Sequence, residues 1–526
     1  MSATVQSLLR ARAGSDAAAL LFEDRRWTWR EYVEQSSRRA AALTTLRDAS
    51  RPFHVGFLLD NTPETAMVLA AAGLGGFVAV GLNSTRRGEA LARDARHADC
   101  QVVLTDAEHL PLLDGLDVAG ARVLDVEGEE WSRLVAAADP DAAPVAEVGA
   151  EDLFMLVFTS GTSGDPKAVR VTHQKVAHPG AYLTEMLGLG AEDVCYIAMP
   201  MFHSNAVMAG WAPALVCGAT MALARRFSAS RFLDDVRRYG ATYMNYVGKP
   251  LAYILATPPR PDDADNPLRL AFGNEASEKD IAAFADRFGC RVQDGFGSTE
   301  NAVVVSRVPG TPPGALGRPQ DGVKVLDPAT GLECPLARFG PDGKVLNLAE
   351  ATGELVNTTG AGQFAGYYND PDATAERMRG GMYWSGDLAY RDAEGWVYFA
   401  GRTGDWLRVD GENLATAPIE RILLRHPDVS RVAVYAVPDD LVGDQVMAAL
   451  VLRDGARLEP DELTALLQRQ GDLGTKMWPR YVRLAADLPA TATNKILKRE
   501  LVREGLDDTG DSVWQRDPGG TSYSVR

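Results

Sequence analysis

The stretch DLFMLVFTSGTSGDPKAV, residues 152–169, runs an apolar segment straight into a loop holding two Gly, four Ser/Thr and one Lys. An apolar run bounded by turn residues reads as a buried strand. A Gly-rich turn at the end of such a strand converges backbone N–H groups on an anion, as α/β folds do. Thr159, Ser160, Thr162 and Ser163 add hydroxyl donors around Gly161 and Gly164, and Lys167 adds a point charge on a flexible stem. A polyphosphate is the oxygen-rich anion that this set suits. The common NTPase loop ends in Gly-Lys-Ser/Thr, which the sequence lacks, so that machine is excluded. The competing reading is a flexible Gly/Ser surface loop.

The rest of the first 400 residues alternates helical and strand-like segments, which favours α/β architecture with largely parallel sheets. WTWREYVEQSSRRAAAL has helical periodicity, HVGFLL reads as a short buried strand, PETAMVLAAAGLGG as a helix, and FVAVGL and CQVVLTD as strands. Residues 65–85 carry no charge over 21 positions, long enough to span a bilayer. Four Gly and a strand-like second half point instead to a helix followed by a buried strand. From Pro309 to Gly366 Pro and Gly become frequent, and VKVLD, GKVLNL and GELVNT read as strands of a small β-rich subdomain. Beyond FAGRTGDWLRVDGENLATAPIE, residues 399–420, a compact α+β unit follows. The expected organisation is residues 1–402 as a large N-terminal domain of stacked α/β subdomains plus the β-rich piece, 403–405 as hinge, and 406–526 as a small mobile α+β domain.

With 54 basic and 71 acidic residues the formal charge is −17, which disfavours nucleic acid and anionic membrane as main partners. Five scattered Cys, with no CxxC and no His at metal spacing, read as isolated thiols of a reducing compartment. The opening MSATVQSLLRARAGSD lacks the pattern of a signal peptide, so the expected location is cytoplasmic, with no transmembrane span. Peripheral membrane contact and oligomeric state stay open.

The loop resembles the phosphate-binding motif of the adenylate-forming superfamily, which includes acyl-CoA synthetases, luciferases and peptide-synthetase adenylation domains; Ala168 stands where that motif usually has Gly. Further motifs follow in order. FGNEAS resembles the adenine-contacting loop, implying that Gly273, Asn274 and Glu275 line the base. DGFGSTE resembles the aromatic-Gly-x-Thr-Glu element, Asp294, Gly295, Phe296, Gly297 and Ser298 leading to Thr299 on an α-phosphate oxygen and Glu300 on Mg²⁺, a hard ion suited to carboxylate. YWSGDLAYRDAEGWVYFAGRTGD resembles the ribose element, with Asp387 accepting two hydroxyls and Arg402 contacting the nucleotide. TATNKILKREL resembles the C-terminal catalytic element and puts the reactive Lys at 495, where it would offset charge as pyrophosphate departs.

The flanking text is similar to fatty-acid transport protein-like acyl-CoA synthetases, especially actinobacterial fatty-acid–CoA ligases. That resemblance implies two steps: carboxylate and Mg-ATP give acyl-AMP, and the CoA thiol then displaces AMP, the C-terminal domain rotating between them. Gly404 stands where relatives pivot on Asp or Lys. His203 falls beside the expected acyl carboxylate, and Asn205, Trp211, Asn245, Tyr246, Lys249 and Asn301 fall on pocket segments. So polar a set argues against a plain long-chain tunnel. Three readings therefore stand: an acyl-CoA ligase; an adenylating enzyme without CoA, such as one activating nitrite to diazotise an aromatic amine or one with another acceptor; and a non-catalytic binding protein.

Overall fold

The computed structural model describes the backbone of all residues except 1–2, 143, 160–165, 342, 403–405, 410–411, 440–442, 471–472, 474, 492–495, 507–510 and 518–519. It divides into two compact units, Met1–Asn301 with Gln363–Glu376, and Ala302–Gly362 with Arg377–Arg526. The expected hinge at 403–405 lies outside the described residues.

The first unit carries two sheets. One orders Arg122–Asp125, Cys100–Thr105, His54–Leu58, Val78–Gly81 and Leu153–Thr159 in parallel, with Lys167–Thr172 folded back antiparallel on the last. The other orders Arg291–Phe296, Leu270–Asn274, Tyr243–Val247, Val194–Ile197, Thr220–Leu223 and Ala18–Phe22 in parallel, closed by antiparallel Arg25–Thr28. This is the α/β architecture expected.

The uncharged stretch is helix Pro63–Gly75 followed by strand Val78–Gly81. Thr62 caps the helix, Pro63 occupies its first turn, and Gly76 ends it at φ 72°. The helix is apolar on every side because it is buried on every side. Gly73 lies against Val5 and Gly75 against Ala40 and Phe77, so neighbouring elements approach without side chains between. Among the described residues no helix is long and apolar enough to cross a membrane.

In the second unit Val323–Leu326, Gly353–Asn357 and Met382–Arg391 form an antiparallel sheet with Met378–Arg379 and Val397–Arg402. GKVLNL is not a strand. Val345 makes one isolated bridge to Phe339, and Asn347 turns inward to accept from the Arg338 N–H and donate to the Leu336 carbonyl before helix Leu348–Ala351. The side chain thus satisfies backbone groups of the facing segment, while the Leu346 N–H donates to the Arg338 carbonyl and the Lys344 carbonyl accepts from the Gly340 N–H. The C-terminal part packs helices Thr416–Leu423 and Pro460–Gln468 on a sheet built around Gly443–Leu452, with Leu407, Ile419, Val434, Leu450 and Trp478 in its core. All five Cys are free thiols.

Candidate active site

Thr159 and Lys167 stand opposite each other in register on antiparallel strands. Ser160, Gly161, Thr162, Ser163 and Gly164 lie outside the described residues. Lys167 is mostly buried. Its Nζ sits 3.4 Å from a Glu376 carboxylate oxygen and 5.3 Å from the centroid of the Tyr367 ring. The buried Tyr367 hydroxyl donates in turn to Glu300 Oε1 at 2.8 Å. One aromatic ring thus connects the loop cation to the carboxylate of the Thr-Glu element. Thr299 Oγ1 lies 2.8 Å from Ser204 Oγ, which ties that element to the segment holding His203. Lys175, at zero exposure, donates to the Arg170 carbonyl. Burial lowers its pKa to about 8, and the charge of Glu300 works in the opposite direction.

Tyr246, Gly273 and Asp294 occupy matched positions on three adjacent parallel strands. A Cβ at 273 would collide with the Tyr246 carbonyl and come within 2.6 Å of its ring. Because Gly273 has none, the Tyr246 ring crosses over it and its hydroxyl donates to Asp294 Oδ2 at 2.8 Å. Asp294 also accepts from the Ala276 N–H at 3.2 Å, and Asn274 donates to the Gly295 carbonyl at 2.7 Å. Glu275 holds a positive φ of 69° and is exposed. Non-Gly residues reach that region rarely. Phe296 is half-buried, Gly297 and Ser298 are exposed, and a Cβ at Gly297 would meet nothing within 4 Å.

Of the expected acyl-pocket residues, Asn245 donates to Asn205, which donates to the Tyr246 carbonyl. Asn245 Oδ1 is buried with no hydrogen-bond partner among the described residues, facing Gly210. Gly210 belongs to a π-helical stretch, Ala206–Trp211, an irregularity frequent at functional sites. Trp211 is fully buried, stacked on Phe154, with its N–H donated to the Tyr32 hydroxyl, which places it in the core. His203 is half-buried and tilts against Phe202. Lys249 precedes helix Pro250–Leu255, and Asn301, at φ 52°, donates to Gln363.

In the second unit Asp387 is buried and pairs with Arg402 Nε at 3.3 Å. The two are also register partners on neighbouring strands, which fixes the pairing. Lys495 lies outside the described residues; Lys498 just beyond it pairs with Glu420 and donates to Thr416. The motifs did not point to Tyr367, Ser204 or Lys175. Each acts through a contact more than 60 residues away or through burial, which no local pattern records.

The family and the relatives of the chain make it an AMP-forming ligase. Residues 9–368 match the AMP-binding enzyme family and 418–495 its C-terminal domain; the chain belongs to that family. It is 54% identical over 511 residues to a medium/long-chain-fatty-acid–CoA ligase, FadD17, of Mycobacterium marinum, covering 97% of this chain and 98% of that one. It is 48% identical over 502 residues to a steroid-22-oyl-CoA synthetase of Rhodococcus jostii, with 95% and 90% covered. The fold matches ATP-bound MatB of Rhodopseudomonas palustris with a TM-score of 0.83 at 24% identity, covering 96% and 99% of the two chains.

Proposed function

We propose that this enzyme activates a carboxylic acid with ATP as acyl-AMP and transfers the acyl group to the thiol of CoA. The observation that carries the reading is the similarity, over nearly the full length of both chains, to relatives named for ligating fatty and steroidal acids to CoA. The substrate in this reading is a largely apolar acid. The Asn205–Asn245 pair and the stiff Tyr246 ring favour a shaped, ring-bearing or substituted acyl group over a plain alkyl chain. The diazotising alternative finds no support in these relatives.

In this reading the 159–167 loop holds the β- and γ-phosphates and Lys167 supplies the charge. Thr299 bonds an α-phosphate oxygen, and Gly273, Asn274 and Glu275 line the adenine. Asp387 takes the ribose hydroxyls, with Arg402 against the nucleotide. Glu300 offers a hard oxygen donor beside a hydroxyl, a set that fits Mg²⁺. When bound, that ion would neutralise phosphate charge. Lys495, carried beyond a hinge at 403–405, would offset the charge that develops as the carboxylate oxygen attacks the α-phosphorus and the bond to pyrophosphate breaks. His203 would stand beside the acyl carboxylate. Purified enzyme with ATP and a panel of alkyl, aryl and steroidal acids tests this by AMP release with and without CoA, products weighed by mass. An acyl-CoA thioester supports the reading. AMP formation that CoA never alters, with some other acceptor acylated, overturns it.

A further inference from the structure

The Ser385–Gly386–Asp387 segment departs from the sheet that carries it. Glu354 pairs in register with Leu388, and Val356 pairs with Trp384, so one residue on one strand, Leu355, faces three on the other, Ser385, Gly386 and Asp387. The surplus is a β-bulge, a device that re-aims a side chain at the cost of ladder hydrogen bonds. Gly386 takes φ 76° there, and a Cβ on it would collide with the Arg377 guanidinium. A bulge displaced from its ladder needs another acceptor for its backbone donors.

Glu354 provides one. Its side chain, only 3% exposed, reaches into the bulge, and Oε1 accepts from the Gly386 N–H at 2.6 Å. Oε2 accepts from Arg379 at 3.0 Å. The Ser385 hydroxyl accepts from the Asp387 N–H at 3.0 Å and steadies the next residue. A buried carboxylate is costly to place, and burial raises the Glu354 pKa while Arg379 and Arg377 oppose that rise. An amide or hydroxyl would cap the same N–H with less desolvation. A charged acceptor is the stronger one, and it holds the bulge against a neighbouring cation.

We infer that Glu354 is a positioning residue: it clamps the Gly386 amide and thereby fixes the bulge that aims the Asp387 carboxylate at the nucleotide ribose. The inference rests on the reading of Asp387 as the ribose acceptor. It predicts a defect confined to hydroxyl recognition rather than a general loss of nucleotide binding.

The test measures calorimetric affinity of the full chain for ATP and for 2′,3′-dideoxy-ATP. Wild-type enzyme should prefer ATP by about tenfold or more, the worth of a hydrogen bond to a charged group. Asp387→Asn should lose most of that preference. Glu354→Asp keeps the charge for Arg379, but its arm falls one methylene short of the Gly386 N–H. Its preference should fall to within about threefold of the Asp387→Asn value, the standard set by a lost charged hydrogen bond. Glu354→Gln keeps the reach and the acceptor, and the half-exposed Arg379 can turn to water. It should discriminate within about threefold of wild type. A Glu354→Asp enzyme that discriminates as wild type does overturns the inference. So does a Glu354→Gln enzyme, folded with an unchanged melting temperature, that has lost discrimination. The Gln arm remains decisive if the Asp variant does not accumulate. If Asp387→Asn leaves the preference intact, the ribose reading itself fails and the role of Glu354 falls with it.

Discussion

The Tyr246 hydroxyl reaches across Gly273 to Asp294, spanning three parallel strands with one 2.8 Å hydrogen bond. Two motif residues and a residue between motifs are therefore one mechanical unit. The Gly is needed because the ring and carbonyl of Tyr246 occupy the space a side chain would take. Gly273→Ala should destabilise the first unit by about 1–3 kcal/mol through overpacking, since backbone stands in the way. Tyr246→Phe should cost about 1–2 kcal/mol, less than the worst case because Asp294 keeps the Ala276 N–H. Urea unfolding of both variants checks the order; a Gly273→Ala protein as stable as wild type would contradict it.

Tyr367→Phe separates two roles of one ring. The ring stays beneath Lys167, but Glu300 loses the hydroxyl that orients it. Loss of a hydrogen bond to a charged group should weaken the apparent affinity for Mg²⁺ roughly tenfold. Stability should fall by about 1–2 kcal/mol, because the hydroxyl is removed from a buried carboxylate. Titrating Mg²⁺ at saturating ATP reads the effect directly, and an unchanged midpoint would remove Tyr367 from the site.

Lys495→Ala should nearly abolish acyl-AMP formation while leaving CoA transfer from a supplied acyl-AMP largely intact. A cation that stabilises departing pyrophosphate has no part in the second step. Pyrophosphate exchange and thioester formation, measured separately, distinguish the halves. Equal loss in both would show that the reactive Lys is elsewhere.

His173 is fully buried, and among the described residues neither ring nitrogen has a hydrogen-bond partner. Burial lowers its pKa from 6.5 to about 4, with Asp152 opposing weakly. The unfolded chain then binds more protons than the folded one between those values, so stability falls as pH drops through that window. At pH 5 the loss from this residue should be about 2 kcal/mol relative to pH 7.5, from the linkage relation. Subtracting the pH dependence of His173→Phe from that of wild type, both by urea unfolding, isolates it. Parallel curves would contradict the assignment.

The sequence by itself determined the class of enzyme, the α/β alternation and most strand positions. The family's motifs are runs of residues a few positions apart, and buried strands advertise themselves by apolar runs. HVGFLL, CQVVLTD and DLFMLVFT all became strands for that reason. GKVLNL carried the same local signal and did not: it makes only a short return onto residues 336–340, which Asn347 caps before a helix begins at Leu348. Only the tertiary structure decided that Tyr367 joins Lys167 to Glu300, that Tyr246 crosses Gly273, and that Glu354 caps Gly386. Those contacts join residues 27 to 200 positions apart. Their worth comes from burial and from register between strands, which exist only once the chain has closed on itself.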